Sequence, residues 1–411
     1  MSVTDIIVIR YQGILGSCVG LGNTIGPFLA AAFIQTSTWR GLFWCICPLA
    51  VVAGVMVALT LPPSKVHGDM KTKVKVIDYY GVLFSSSAIL LLLIPISGGG
   101  TYFDWDSPMV ISMLTLGSIC MILFILVEWK WAVMPMMPLR LFQNPAIFAI
   151  LVQNFLYGIV YYSHLYYLPI YYQNVRQYSP LLSAALTIPF VAAQSIFSIS
   201  SGQYVSRTKR YGEIIWSGYA LWTLGCGLVL LLTRYTPRWQ IVVFLIIEGA
   251  GVGHVFQPTL VAAQAHSMKS DRAVVISVRN FLRALGGSLG LALSSAVFSN
   301  SLKKSLNSLS TPLSESVRSG ILAAILRVPD LSTLSRTDRE EVLNSYMSAS
   351  HAVFIMWVPL MAVCLVLCIM IKDKGLTRPE EKPHVQETSS SVVEDSAQSD
   401  VEIHMQEEPK K

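Results

Sequence analysis

Apolar residues along this chain come in runs of about 20, the length that carries a helix across a bilayer's hydrocarbon core. Runs at 10–34, 39–61, 77–97, 107–130, 144–172, 180–203, 213–233, 238–264, 272–299 and 351–371 predict about ten transmembrane helices and an all-α, polytopic membrane protein. Val82–Ile96 with its flanks and Met109–Val127 are the plainest cases. Unequal lengths fit spans that tilt or overrun the core. Trp39, Trp44, Trp129, Trp131, Tyr171, Tyr172 and Trp239 gather at the ends of the runs, where amphipathic rings sit at a membrane interface.

The polar gaps set the orientation. With a cytoplasmic N-terminus, Lys65, Lys71, Lys73, Lys75, Lys130, Arg140, Arg207, Lys209, Arg210, Lys269 and Arg272 fall in inside connections, against Arg40, Arg176, Arg234 and Arg238 outside. That bias predicts both termini in the cytoplasm. The longer segment 300–350 would lie outside, and its charges do not overturn the assignment because long loops translocate regardless of charge. Within it, Ser314–Leu326 and Arg336–Met347 read as short amphipathic helices on the outer face. From Lys372 onward, Ser, Glu and Lys dominate, which predicts a disordered cytoplasmic tail.

Charged residues are 13% against 53% hydrophobic, far from the balance of a soluble domain. The net charge of +6 is spread over short gaps between spans, so the expected partner is the lipid bilayer and no nucleic acid. Met1–Ile9 lacks a basic segment and predicts no cleaved secretory leader. All seven cysteines fall within apolar spans, and Cys45–Cys47 and Cys364–Cys368 lack the second pair a zinc site needs, so they read as packing residues with no metal. No phosphate loop and no HExxH helix is present, which argues against ATP-driven transport, hydrolysis and enzymatic activity generally.

The first run reads Tyr11-Gln12-Gly13-Ile14-Leu15-Gly16, then Gly20, Gly22 and Gly26-Pro27. Glycines four apart make a flat strip for close helix contact, and Pro27 removes a backbone donor. Gly22, Gly26 and Pro27 resemble the GxxxGP antiporter motif on the fifth helix of major facilitator exporters; Ala30 and Ala31 stand where that family usually has two further glycines. Trp39-Arg40 with Phe43 and Pro48 resembles the family's sixth-helix start, and Asp78-Tyr79-Tyr80-Gly81 its seventh. Leu168-Pro169-Ile170-Tyr171-Tyr172-Gln173, the Ser179-Pro180 turn and Phe281-Leu282-Arg283-Ala284-Leu285-Gly286-Gly287 resemble further motifs, in the family's order.

Over roughly residues 5–375 the chain is thus similar to the fungal fourteen-helix drug:proton antiporters. The resemblance implies a major facilitator fold lacking the first four helices. Residues 1–61 would be the remainder of the N-terminal bundle, 62–142 a cytoplasmic linker and inserted helix pair, 143–371 the C-terminal six-helix bundle with outer loop 300–350, and 372–411 the tail. It implies proton-coupled export of drugs, toxins or secondary metabolites, a small amphipathic organic substrate, protons as coupling partner and no organic cofactor. The plasma membrane is the expected location, with the vacuolar membrane as alternative. Siderophore or basic amino-acid transport, as in related fourteen-helix families, is the second reading. A non-transporting fragment or scaffold is the third, because polar faces left without a bundle partner would meet lipid.

Ionisable residues inside the bilayer are the default functional candidates. Glu248 follows Trp239 by nine residues, which puts it about 14 Å deep at ~1.5 Å per residue. It reads either as a proton-coupling or cation-binding group or as a carboxylate tied to an arginine or the backbone. His254 and Gln257 follow on the same helix; the imidazole either titrates or is a hydrogen-bonded structural group. Gly249, Gly251 and Gly253 predict tight helix contact there. Arg279 and Arg283, four apart, either snorkel or pair with Asp271 or another acid, or form a cytoplasmic gate, for which Asp78 is a further candidate. Asp78 reads first as a helix cap. Gln153, Tyr157 and Tyr161 share a helix face, with Asn154, Tyr162 and His164 nearby, and read as cavity lining or as interfacial aromatics.

Overall fold

A computed structural model describes residues 18, 21–22, 25–26, 28–34, 36–60, 78–99, 103–131, 135–268, 271–309, 318, 320–322, 325, 334–373 and 375. Pro27, the 61–77 linker, most of Ser314–Leu326 and the tail from 376 lie outside them. Among the described residues the regular structure is helical, and eight helices are long and apolar enough to cross a membrane.

Ten α-helices of the described chain are numbered here in order: α1 Arg40–Thr60, α2 Tyr79–Gly98, α3 Pro108–Lys130, α4 Pro145–Ile170, α5 Pro180–Thr208, α6 Gly212–Val229, α7 Arg238–Phe256, α8 Pro258–His266, α9 Arg272–Asn307 and α10 Arg336–Leu367. Their starts follow from sequence. Asn144 and Ser179 accept hydrogen bonds from backbone amides of the turns they open, and Pro145 and Pro180 follow as first helical residues, where the missing N–H costs nothing. Asp78 caps α2 by accepting from Gly81 N at 2.8 Å, the role the sequence put first. α6 is not among the eight helices long and apolar enough to cross a membrane, yet it packs closely against α7 and α10.

Two predicted boundaries move. Residues 300–307 continue α9, and Arg336–Met347 is the first third of α10 and not a separate surface helix. Both extensions carry charges (Lys303, Lys304, Arg336, Asp338, Arg339), so hydropathy falls while the backbone stays helical. The tail boundary moves as well. Asp373 folds back and its Oδ2 accepts from Tyr211 N at 3.0 Å and Gly212 N at 2.9 Å, satisfying amides at the start of α6. Asp373→Ala should lower the stability of the solubilised protein by about 1 kcal/mol, as loss of a helix cap does. A thermal unfolding midpoint equal to wild type would remove this capping role.

The core lies among α4 to α10. α4 runs against α9, α7 against both α5 and α6, and α10 closes the bundle against α4, α6 and α9. α2 and α3 pair with each other, and α2 leans on α9, where Ser295 Oγ donates to Ser97 O at 3.3 Å. α1 buries none of its residues: Trp44 is 79% and Leu59 82% exposed. A helix apolar on all sides takes hydrocarbon or another helix as its surroundings.

Glycine spacing sets how closely these helices approach. On α7, a Cβ at Gly249 or Gly253 would meet the α5 carbonyls of Phe190 or Gln194, and one at Gly251 the α6 backbone at Trp222. Gly225 of α6 answers from the other side, where a Cβ would lie 2.6 Å from Glu248 Cα. The strip predicted to permit tight contact therefore serves two neighbours, and it draws both around Glu248.

Candidate functional site

Glu248 is fully buried, at the centre of this contact. One carboxylate oxygen, Oε1, gathers three partners. His164 Nδ1 of α4 lies 3.0 Å away, at ion-pair distance without hydrogen-bond alignment. Trp222 Nε1 of α6 donates at 3.3 Å, and Cys226 Sγ, one turn further, at 3.7 Å. The other oxygen, Oε2, has no hydrogen-bond partner, nor has either nitrogen of His164. Among the described residues the carboxylate is tied to no arginine or backbone amide, and its neighbour is a histidine on another helix.

The surrounding walls are aromatic. His164 stacks on Phe190 with centroids 4.4 Å apart and leans on Trp357 at 5.5 Å. Trp357 is fixed in turn by donating to Ser163 Oγ at 2.9 Å, and Ser163 meets Ser294 Oγ at 2.6 Å. Tyr157 and Tyr161 stack at 5.2 Å, and Tyr157 meets Trp222 edge-on at 4.9 Å. Tyr161 donates to Gln194 Oε1 at 3.2 Å. In so dry a setting a carboxylate and an imidazole at this distance interact strongly.

The structure separates other residues that the sequence grouped. Gln153 turns away from Tyr157 and Tyr161, donating to Cys364 O of α10 at 2.8 Å and to Cys368 Sγ, just past its end, at 3.3 Å. Each step of four residues rotates by about 40°, so eight residues carry Tyr161 about 80° from Gln153. His254 packs edge-on to Phe197 of α5 at 5.0 Å. Its Nδ1 is buried without a hydrogen-bond partner. Gln257, 7% exposed, sits where α7 breaks before Pro258.

Arg279 serves that break. Leu260 N bonds to Gln257 O, so Phe256 O loses its helical donor; Arg279 Nη2 supplies one at 2.7 Å and also donates to Thr259 Oγ1 at 2.9 Å. Arg283 lies over the Phe256 ring at 4.9 Å. Asp271 pairs with Arg140 at 2.9 Å. Asp78, at the start of α2, makes its hydrogen bond to Gly81, so it is not joined to either arginine. Gly22 and Gly26 have open space where a Cβ would stand.

Sequence reasoning noted His164 but did not single it out, read Cys226 as a packing residue, and passed over Trp222 and Trp357. A signal was present for one of them. Tyr157, Tyr161 and His164 stand at i, i+4 and i+7, the stripe of one helix face.

A family model described as Major Facilitator Superfamily matches residues 8–291. The chain belongs to the Major Facilitator Superfamily. Among its relatives, citrate exporter 1 of Yarrowia lipolytica is 44% identical over 404 residues, 97% of this chain and 60% of that protein. The MFS-type transporter clz4 of Cochliobolus lunatus is 34% identical over 384 residues, 92% of this chain and 67% of that protein. Efflux pump FUS6 of Gibberella fujikuroi is 28% identical over 425 residues, 96% of this chain and 74% of that protein. The chain thus spans three-fifths of the length of citrate exporter 1. For this major facilitator protein the Glu248–His164 pair is the one buried acid–imidazole contact among the described residues.

Proposed function

We propose that this chain belongs to a proton-coupled exporter of small organic molecules, of the fourteen-helix drug:proton antiporter type, with its ten apolar runs corresponding to helices five to fourteen. The carrying observation is the Glu248 carboxylate, fully buried, 3.0 Å from an imidazole and with one oxygen unpartnered. A buried carboxylate that exchanges a proton changes the charge of the bundle interior. Outward-directed transport can be coupled to that change if substrate and proton occupy the site in alternation. The efflux-pump and citrate-exporter relatives support export of metabolites. Basic amino acids receive less support, because the arginines of the same bundle disfavour cations.

We place the protein in the plasma membrane, with both termini and the Arg210–Asp373 end of the bundle in the cytoplasm. Vesicles carrying the full chain test the function: an imposed pH gradient should drive uptake of citrate or another small organic acid, and a protonophore should stop it. Flux that ignores the gradient would sink the coupling. For orientation, epitope tags on either terminus should be stained only after cells are permeabilised. Staining of intact cells would reverse the assignment.

A further inference from the structure

About 12 Å along α7 from Glu248, at ~1.5 Å per residue, lies a second polar cluster of opposite character. Arg279 and Arg283 stand four apart on α9, and neither appears in the ion pairs of the described residues. Arg279 is 3% exposed. Its Nη2 is engaged by Phe256 O and Thr259 Oγ1, but its Nε is buried without a partner. Arg283 is half-buried, and both guanidinium groups lie over the Phe256 ring, at 5.9 and 4.9 Å.

Two tyrosines complete the cluster. Tyr157 of α4 lies 6.0 Å from the same Phe256 ring; Tyr219 of α6 stacks on Trp222 at 6.4 Å, and Trp222 meets Tyr157 at 4.9 Å. Both rings are buried and both hydroxyls lack a partner. Burial of a guanidinium with no counter-charge is costly, and so is burial of each unpaired donor. The cluster is almost wholly donors: arginine N–H groups and two phenols, with Gln257 Oε1 as a lone unpartnered acceptor at its edge. What satisfies such a set is a compact anion with several acceptor lone pairs, and a carboxylate matches the guanidinium fork.

We propose that Arg279, Arg283, Tyr157 and Tyr219 form a carboxylate-binding subsite for the transported solute, with Gln257 receiving a hydroxyl of the same molecule. The assignment rests on the exporter reading above and names its substrate class: organic acids. Arg279 then has two tasks, closing the break after Phe256 with one nitrogen and offering the rest of its fork to the ligand.

Equilibrium binding to the purified full chain tests this without any gradient, using citrate, succinate and the uncharged trimethyl ester of citrate in calorimetric titrations. Citrate and succinate should bind and the ester should not. Arg283→Gln should weaken citrate by about tenfold or more, as loss of a charge-assisted contact does, and Tyr219→Phe by about threefold. Arg283 is the decisive position, because its contact in the structure is with the Phe256 ring, whereas Arg279→Gln also frees a helix carbonyl. Tyr219→Phe, which removes one oxygen, keeps the test valid should Arg283→Gln fail to fold. Ester binding as tight as citrate, no binding of either acid, or wild-type citrate affinity in both variants would overturn the subsite. Should the acids bind as expected while vesicles show no gradient-driven flux, the exporter reading fails and the subsite stands.

Discussion

Glu248→Gln is expected to reduce pH-driven flux by about 100-fold or more, the scale on which a positioned proton-transfer group contributes. The substitution keeps shape and volume, and the amide oxygen can still accept from Trp222 and Cys226, so the bundle should fold. What it loses is the ability to release a proton. The pH dependence should go with it: the variant's residual flux should be flat with pH where wild type varies. His164→Gln offers the companion measurement. It leaves the carboxylate in place but removes its neighbouring imidazole, so the variant should keep gradient-driven flux at a reduced rate. Glu248→Gln with undiminished gradient-driven flux would show that the coupling proton is held elsewhere.

A larger side chain in the α7 glycine strip should have the largest structural effect. Gly249→Val sets a branched side chain against the Phe190 carbonyl, and Gly251→Leu sets one against the Trp222 backbone, with the Trp222 Cα 2.7 Å from an ideal Cβ. Neither obstacle is a side chain that can swing aside. Overpacking of this kind costs about 3 kcal/mol or more, and here the forced separation also pulls Trp222 and Phe190 from their places around Glu248 and His164. The expected readout is a large fall in thermal midpoint and in the monodisperse fraction after solubilisation. Gly227→Ala is the internal control. No atom lies within 4 Å of its added Cβ, and alanine favours a helix interior by about 1 kcal/mol over glycine, so stability should hold or rise. Equal damage at Gly227 and Gly251 would mean that glycine itself, and not close approach, is what α6 and α7 need.

The candidate site was partly legible in advance. Glu248 stood out because a carboxylate inside an apolar run is rare, and the G-A-G-V-G segment after it signalled close packing. His164 was hidden among the tyrosines of its own helix. Nothing in one dimension ties residue 164 to residue 248, which meet only when the helices pack. Gln153 illustrates the converse. Its spacing of four from Tyr157 placed both on one face, yet α10 packs beside that face and the Cys364 carbonyl takes its amide. Arg279 shows a third limit: its task depends on a carbonyl freed by the break at Gln257 and Pro258, on a different helix.

By itself the sequence determined the helical membrane architecture, the place of most helices and the isolated charges within them. In hydrocarbon every backbone group must be satisfied within its own helix, so spans are written locally as runs of apolar residues. It also carried the motifs of the superfamily, since these lie within single helices and their ends. Only the tertiary structure decided which polar groups face one another: the acid–imidazole pair around Glu248, the donor cluster around Arg279 and the folding of Asp373 beneath α6. Those meetings depend on helix azimuth, on breaks and on how near the glycines let backbones come, and each of these is settled when the helices pack.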